Sequence, residues 1–310
     1  MTRRSLIIDC DPGVDDAIAI LMALASSAQF NLLGITTVAG NVPLKLTQLN
    51  ARKICQLSGA QAVPVFAGCP RPLLRSLVTA EEVHGETGLQ VNLPDPQHPL
   101  QTQHGVSFLI EQLMGAAAPI TLATLGPLTN LAVALIQQPG IANQIGELVM
   151  MGGSITQGNI TPSAEFNLHA DPHAAKVVFE AGLKPTVLGL DVTHTVLTTP
   201  KRLNQIRQIG SAAAIAAADM LAFYGAEEAA RLGIAGAPLH DPCVIAYLLK
   251  PDLFKGQDAY IEVETISPLT LGRTVVDINR ATNCPPNAHI IRTANADGIY
   301  KLLIECLKRL

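Results

Sequence analysis

The chain has 310 residues, 48% of them hydrophobic and 15% charged, which is ample material for a large buried core and argues against disorder. A formal net charge of -4 without a basic stripe, and 4% aromatics without Trp, argue against nucleic acid or an anionic membrane as the main partner. The six cysteines are scattered with no C-x-x-C pair, so neither a zinc site nor a disulfide framework is expected.

The N-terminus is basic, but its apolar run, residues 6–8, is too short for a signal peptide. No segment has the roughly 20 uninterrupted apolar residues of a membrane span. A reduced, cytoplasmic, soluble protein is expected. Apolar runs at 5–9, 30–38, 62–68, 119–126, 147–153 and 185–192 read as buried strands. Helical patterns fill 15–26, 43–59, 105–115 and 128–138 between them. Strands without strict polar alternation, separated by helices, imply an α/β fold: an open, mostly parallel sheet covered by helices on both faces. The C-terminal part reads as helical, with a long alanine-rich helix over 211–232 and further helices over 241–250 and 297–310. No repeat or linker interrupts the chain, so residues 1–310 are expected to form a single domain. The proline-rich stretch 69–103 is long enough to be a lid, or equally a structural excursion.

The most informative stretch is the first strand with the turn and helix after it, "LIIDCDPGVDDAIAIL". Asp9, Asp11, Asp15 and Asp16 fall within eight residues with no lysine or arginine among them. Carboxylates this close repel, so either some stay protonated or a cation joins them. Asp9 and Asp11 point the same way in an extended chain, and Asp15 and Asp16 open a helix, where the dipole favours negative charge. Helix capping explains one or two of the four and leaves Asp9 and Asp11 unexplained. The ligands on offer are oxygens, which suit calcium or magnesium. An EF-hand is excluded, because Val14 and Ile20 stand where its loop needs Gly and Glu.

A D-x-D pair at the end of a first strand resembles haloacid-dehalogenase-type phosphatases, but Gly13 replaces their usual small hydroxyl residue. D-x-D-P-G-x-D-D with all four aspartates together resembles the nucleoside hydrolases of the inosine-uridine-preferring type. "TTVAGNV" (36–42), "VHGETGL" (83–89), "LGPLTNLA" (125–132), "VMMGGSITQGNITPSAEFNLHADPHAA" (149–175), "GLDVTH" (189–194) and "APLHDPC" (237–243) extend the resemblance, in order, over essentially the whole chain.

The resemblance implies calcium-dependent hydrolysis of the N-glycosidic bond of ribonucleosides, by a homodimer or homotetramer that serves purine or pyrimidine salvage. It implies a Ca2+ ion held by Asp11, Asp16, Asp241 and the main-chain carbonyl of Leu125, with Asp11 also the general base on a water. The ribose would meet Asp15, Asn41, Met151 and Asn167, and its 5′-hydroxyl Asn159 and Glu165. Glu165 and Asn167 are two apart, so an extended chain would present both to one pocket. Asp9 would support the others from behind. His240 is the candidate proton donor to the leaving base, and His84 in the stretch 69–103 a second group for the base. His169 and His173 read as part of a turn rather than a metal pair, and Asp191 and His194 as structural. One departure is expected to bear on base preference. Relatives often carry an aromatic residue shortly before "HDP", whereas here Leu232, Gly233 and Ile234 stand there and Phe223 and Tyr224 are the nearest aromatics upstream. A non-catalytic sugar-binding protein is the remaining alternative, alongside the phosphatase.

Overall fold

The computed structural model describes residues 3–224 and 233–310. Strands β1 (Arg4–Cys10), β2 (Phe30–Thr37), β3 (Val65–Ala67), β4 (Ile120–Thr124), β5 (Ile145–Met151) and β6 (Thr186–Leu188) follow in chain order, then β7 (Leu197–Thr198) and β8 (Ala237–Pro238), then β9 (Phe254–Val263), β10 (Thr274–Asp277) and β11 (Ala288–Ala294). Among the described residues, nine of these form one sheet in the order β10-β9-β11-β6-β5-β4-β1-β2-β3, and β7 pairs with β8 alone. All pairings from β11 through β6 to β3 are parallel.

β1 shows why the strands read as unbroken apolar runs. Successive side chains of a strand point to opposite faces. Leu6, Ile8 and Cys10 enter one core, with the helices Val14–Leu24, Pro242–Leu249 and Ala296–Leu307, while Ile7 enters the other, with Gly105–Met114, Thr129–Gln137 and Pro172–Glu180. Both faces are dry, so no polar alternation survives. The chain goes from β1 to β2 and β3 on one side and then crosses to β4 on the other. The carboxyl ends of β1 and β4 therefore flank a topological switch point, the place where open α/β sheets bind ligands.

Three expectations change. The C-terminal part is not purely helical, since 251–296 contains β9, β10 and β11, with β9 antiparallel to both its neighbours. Lys255, Gly256, Gln257 and Asp258 of β9 are exposed, so this strand lacks the apolar run that marks the others. The strand expected over 185–192 is only Thr186–Leu188, after which the chain turns into the short helix Leu190–Thr193, with Leu190 N–H donating to the Gly153 carbonyl at 3.0 Å. The alanine-rich helix spans Ala212–Phe223, and residues 225–232 of its expected range lie outside the described residues.

The stretch 69–103 is anchored rather than loose. Gln101 N–H donates to the Val65 carbonyl of β3 at 3.0 Å, and Arg52 grips the His98 carbonyl at 2.7 and 3.1 Å. Between these anchors, the turn of helix Glu81–His84 brings His84 down to the start of the helix Val14–Leu24. Among the described residues no helix is long and apolar enough to cross a membrane. All six cysteines, each a described residue, are free thiols.

Candidate active site

A cavity of about 600 Å³ opens at the carboxyl ends of the strands. Asp15, Asn41, His84, Leu125, Met151, Asn159, Glu165, Asn167, His240 and Asp241 all line it. Asp11 and Asp16 lie behind this wall, both fully buried. The twelve residues singled out from the sequence thus converge on one place, drawn from the ends of β1, β2, β4 and β5 and from later loops.

At the floor, Asp15, Asp16 and Asp241 bring carboxylate oxygens within 4.8 Å of one another. Asp16 also acts as a helix cap: its Oδ2 accepts from Gly13 N–H at 3.0 Å and its Oδ1 from Asp11 N–H at 3.1 Å. The capping explanation and the cluster explanation therefore meet in one residue. Asn41 ties the parts together, its Nδ2 donating to Asp16 Oδ2 at 3.0 Å and its backbone N–H to Asp11 Oδ2 at 2.7 Å. Asp9 stands apart and accepts from Thr36 at 2.5 Å and Asn130 at 2.7 Å, so it braces the strand ends.

The floor is built for an added positive charge. Asp11 Oδ1 is buried and has no hydrogen-bond partner among the described residues. A Cβ at Gly126 would come within 2.2 Å of that oxygen and one at Gly40 within 2.0 Å of Oδ2, so only glycine lets the two loops close around Asp11. No lysine or arginine is among the described residues lining the cavity. Burial, reinforced by the Asp15 charge, pushes the Asp16 carboxyl up to about 7. Burial and then the Asp16 charge hold Asp11 well above the usual carboxylate range, and burial followed by the Asp15 charge does the same for Asp241. Buried carboxylates of one sign, with an unsatisfied oxygen among them, fit a hard divalent cation.

The wall beside the floor is held by backbone bonds. Asn167 Nδ2 donates to the Leu125 carbonyl at 2.8 Å and the Met151 carbonyl at 3.3 Å. The Leu125 oxygen keeps a second lone pair for another partner. Residues 165–167 are not extended as expected. Glu165 is the N-cap of the helix Phe166–Ala170, accepting from Asn167 N–H at 2.8 Å and Leu168 N–H at 3.2 Å, and it also takes Gly153 N–H at 2.9 Å. Asn159 Oδ1 accepts from Phe166 N–H at 2.9 Å. Both residues line the cavity while fixing its backbone. His169 and His173 fall on two successive helices and form no metal-sized cluster among the described residues.

At the other end, Val14 N–H donates to His84 Nδ1 at 3.1 Å. A backbone N–H can only donate, so that nitrogen carries no proton and the neutral ring has its N–H at Nε2. A Cβ at Gly13 would lie 2.3 Å from His84 Nδ1, which explains the glycine at this helix start. His240 Nδ1 is 2.8 Å from Thr193 Oγ1. Tyr224 lies between the two histidines, its ring 5.1 Å from His84 and edge-on to His240 at 6.4 Å, and its hydroxyl donates to Asp15 Oδ2 at 3.4 Å.

In the sequence Tyr224 stands well upstream of "HDP", yet it reaches the site because the helix Ala212–Phe223 ends there. Phe223 lines the same end. Thr193 escapes sequence reasoning altogether, because a threonine inside "DVTH" carries no signal until the fold sets it against His240.

Comparison with known proteins agrees with this geometry. Residues 6–301 match the family model described as inosine-uridine preferring nucleoside hydrolase. An uncharacterized protein of Schizosaccharomyces pombe is 42% identical over 308 residues, covering 98% of this chain and 99% of its own. The pyrimidine-specific ribonucleoside hydrolase RihB of Escherichia coli is 41% identical over 309 residues, covering 99% of this chain and 98% of that enzyme. The structure of a purine-preferring ribonucleoside hydrolase from Gardnerella vaginalis superposes with a TM-score of 0.91 at 32% identity, covering 98% of each chain. With the match running from the aspartate cluster to the final helix, the chain belongs to the inosine-uridine preferring nucleoside hydrolase family of ribonucleoside hydrolases.

Proposed function

We propose that this protein is a Ca2+-dependent hydrolase of ribonucleosides in nucleoside salvage, with the sugar at the aspartate floor and the base toward His84, His240 and Tyr224. The observation that carries the reading is the buried carboxylate cluster with its unsatisfied Asp11 oxygen, opening into a cavity whose far end holds two imidazoles. Asp11, Asp16, Asp241 and the Leu125 carbonyl would hold the ion. Asp15 stands close enough to share in it, and its place in the carboxylate triad supports a bridging role between ion and sugar. When bound, the ion supplies positive charge that makes a water more acidic and gives the ribose diol a hard partner.

Hydrolysis passes through an oxocarbenium-like transition state, with water adding to the anomeric carbon as the base departs. Asp11 takes the proton of that water. Its buried Oδ1, which has no hydrogen-bond partner among the described residues, is free to accept it. Asp15 and Asn167 receive the diol, with Asn41 at the same edge and Met151 against the ring. Asn159 and Glu165 meet the 5′-hydroxyl and, through their backbone bonds, keep that wall still. The base leaves toward His84 and His240, whose N–H groups stabilise its developing charge.

The greater likeness to a pyrimidine-specific enzyme than to a purine-preferring one favours uridine and cytidine as substrates. A cytoplasmic homodimer or homotetramer belongs to the same reading, and the free thiols accord with a reducing compartment. The test is release of free base and ribose from uridine, cytidine and inosine, with and without a chelator. Turnover that is lost on chelation and restored by Ca2+ is expected. Turnover indifferent to chelation would refute the ion's role, and no release from any ribonucleoside would refute the activity.

A further inference from the structure

The short helix Leu190–Thr193 belongs to the "GLDVTH" motif, whose Asp191 and His194 read from sequence as structural. Two of its side chains reach opposite parts of the site. Asp191 accepts from Ile155 N–H at 2.6 Å, Thr156 N–H at 3.2 Å and the Thr156 hydroxyl at 2.7 Å, which ties the helix to the loop that carries Asn159. Thr193, fully buried, places its Oγ1 2.8 Å from His240 Nδ1.

A buried hydroxyl puts its proton on an acceptor. Among the described residues, His240 Nδ1 is the partner of this hydroxyl. The usual alternative inside a helix, the carbonyl four residues back, is that of Gly189, and it already takes two backbone N–H groups, those of Val192 and Thr193, each at 3.1 Å. We propose that Thr193 is a positioning residue for the reaction: its hydroxyl donates to Nδ1 of His240 and so holds the ring as the tautomer that carries its proton on Nε2. His240 then meets the leaving base as a fixed N–H donor that keeps its proton. Water supplies the atoms of the overall reaction, its hydroxyl going to the sugar and its proton to the base.

The arrangement repeats at His84, where the backbone N–H of Val14 occupies Nδ1 at 3.1 Å and fixes the same tautomer by a different donor. Two imidazoles from distant segments are thereby set alike, one by a helix start and one by a threonine. Asp191 keeps the threonine in place, because the helix cannot follow a drifting His240 without breaking its bonds to Ile155 and Thr156. The inference rests on the reading of His240 as the donor to the base, so its test separates the two.

The experiment uses the full chain in wild-type form and as Thr193→Ser, which keeps the hydroxyl, and Thr193→Val, which removes it at similar volume. Nitrogen-15 NMR of the His240 ring at neutral pH reports which nitrogen is protonated. Wild type and Ser should show an unprotonated Nδ1 and a protonated Nε2, and Val should lose that pattern. In kcat/KM, Val should lose at least ~10-fold more with uridine than with p-nitrophenyl riboside, whose leaving group needs no such donor, and Ser should recover most of it. A protonated Nδ1 in wild type, or a Val spectrum equal to wild type, would overturn the inference, and the wild-type and Ser spectra decide even where Val folds poorly. The expected spectra with equal losses on both substrates would uphold the tautomer and refute His240 as the donor to the base.

Discussion

The two ends of the cavity are built by opposite means. In the proposed reading one end takes the sugar and the other the base. The floor of the sugar end is a cluster of carboxylates, comes mostly from one strand-to-helix joint, and is closed by glycine loops at Gly40 and Gly126. The base end is aromatic and imidazole, and each of its groups arrives on a separate segment: His84 from the stretch after β3, Tyr224 from a helix end, His240 from the loop before the helix Pro242–Leu249. The difference reflects the demands on each end. A cation site needs several charged oxygens held at fixed distances, and a rigid joint between strand and helix supplies them at low entropic cost. A leaving base needs hydrogen-bond donors and a surface to lie against, which loops can vary without disturbing the floor. Changes at the floor should therefore remove catalysis from every substrate, while changes at the base end should discriminate among substrates.

The largest expected effect is at the floor. Asp11→Asn removes the proposed general base and an anionic oxygen together, and should lower kcat by roughly 10²–10⁴-fold or more on uridine and p-nitrophenyl riboside alike. Near-native kcat in a folded variant would detach Asp11 from the chemistry. The sugar's own hydroxyl comes next. Sites that bond a hydroxyl reject analogues lacking it by roughly 10⁴–10⁵-fold, whereas deoxyribosides lose their base more easily in water. The binding loss should prevail, leaving 2′-deoxyuridine at least about 10²-fold poorer than uridine in kcat/KM, a discounted form of that estimate. Comparable values would mean that the floor does not read the diol.

At the base end, His240→Ala should cost uridine about 10²-fold and p-nitrophenyl riboside much less, since only the former needs help in departing. Equal losses would place His240 among the residues that only support the floor, and would erase the contrast between the two ends.

The smallest effect is on stability. Asp16 is raised to about 7 and Asp9, mainly by burial, to about 6, both above the unfolded value of about 3.9. The folded chain without an ion then binds more protons than the unfolded chain between about pH 4 and 7, so its stability falls as pH rises through that window. An ion that binds the ionised floor opposes this fall. The Tm of chelated protein should thus drop by about 5 °C between pH 5 and 8 relative to protein with Ca2+. A constant gap across this range would show that the floor carboxylates do not exchange protons for the ion.

How much of the molecule is legible in its sequence tracks the same division. Asp11, Asp15 and Asp16 sit side by side in sequence because a single joint makes most of the floor, and the buried strands that position it read as plain apolar runs. With the family established, the phosphatase and binding-protein alternatives suggested by the aspartates alone fall away. The base end is only partly visible. His84 and His240 stand out as histidines within motifs, but Tyr224 enters through the end of an alanine-rich helix, and Thr193 acquires a role only when the chain is folded against His240. Glu165 and Asn167 reach the cavity as expected but through a different local geometry, because a side-chain cap on a five-residue helix leaves no apolar period to read. The strands β9–β11 escape notice since β9 begins with a solvated polar run at the margin of the sheet.

If the buried aspartates form a cation site, calorimetric titration of chelator-stripped protein with CaCl2 detects it without recourse to turnover. Near pH 6.5 a single class of site is expected, with binding accompanied by proton release as Asp16 and its neighbours ionise, and with that binding lost in Asp241→Ala. Proton release is read by repeating the titration in buffers of different ionisation enthalpy. Absence of binding at millimolar Ca2+, or undiminished binding in folded Asp241→Ala, would contradict a cation site there.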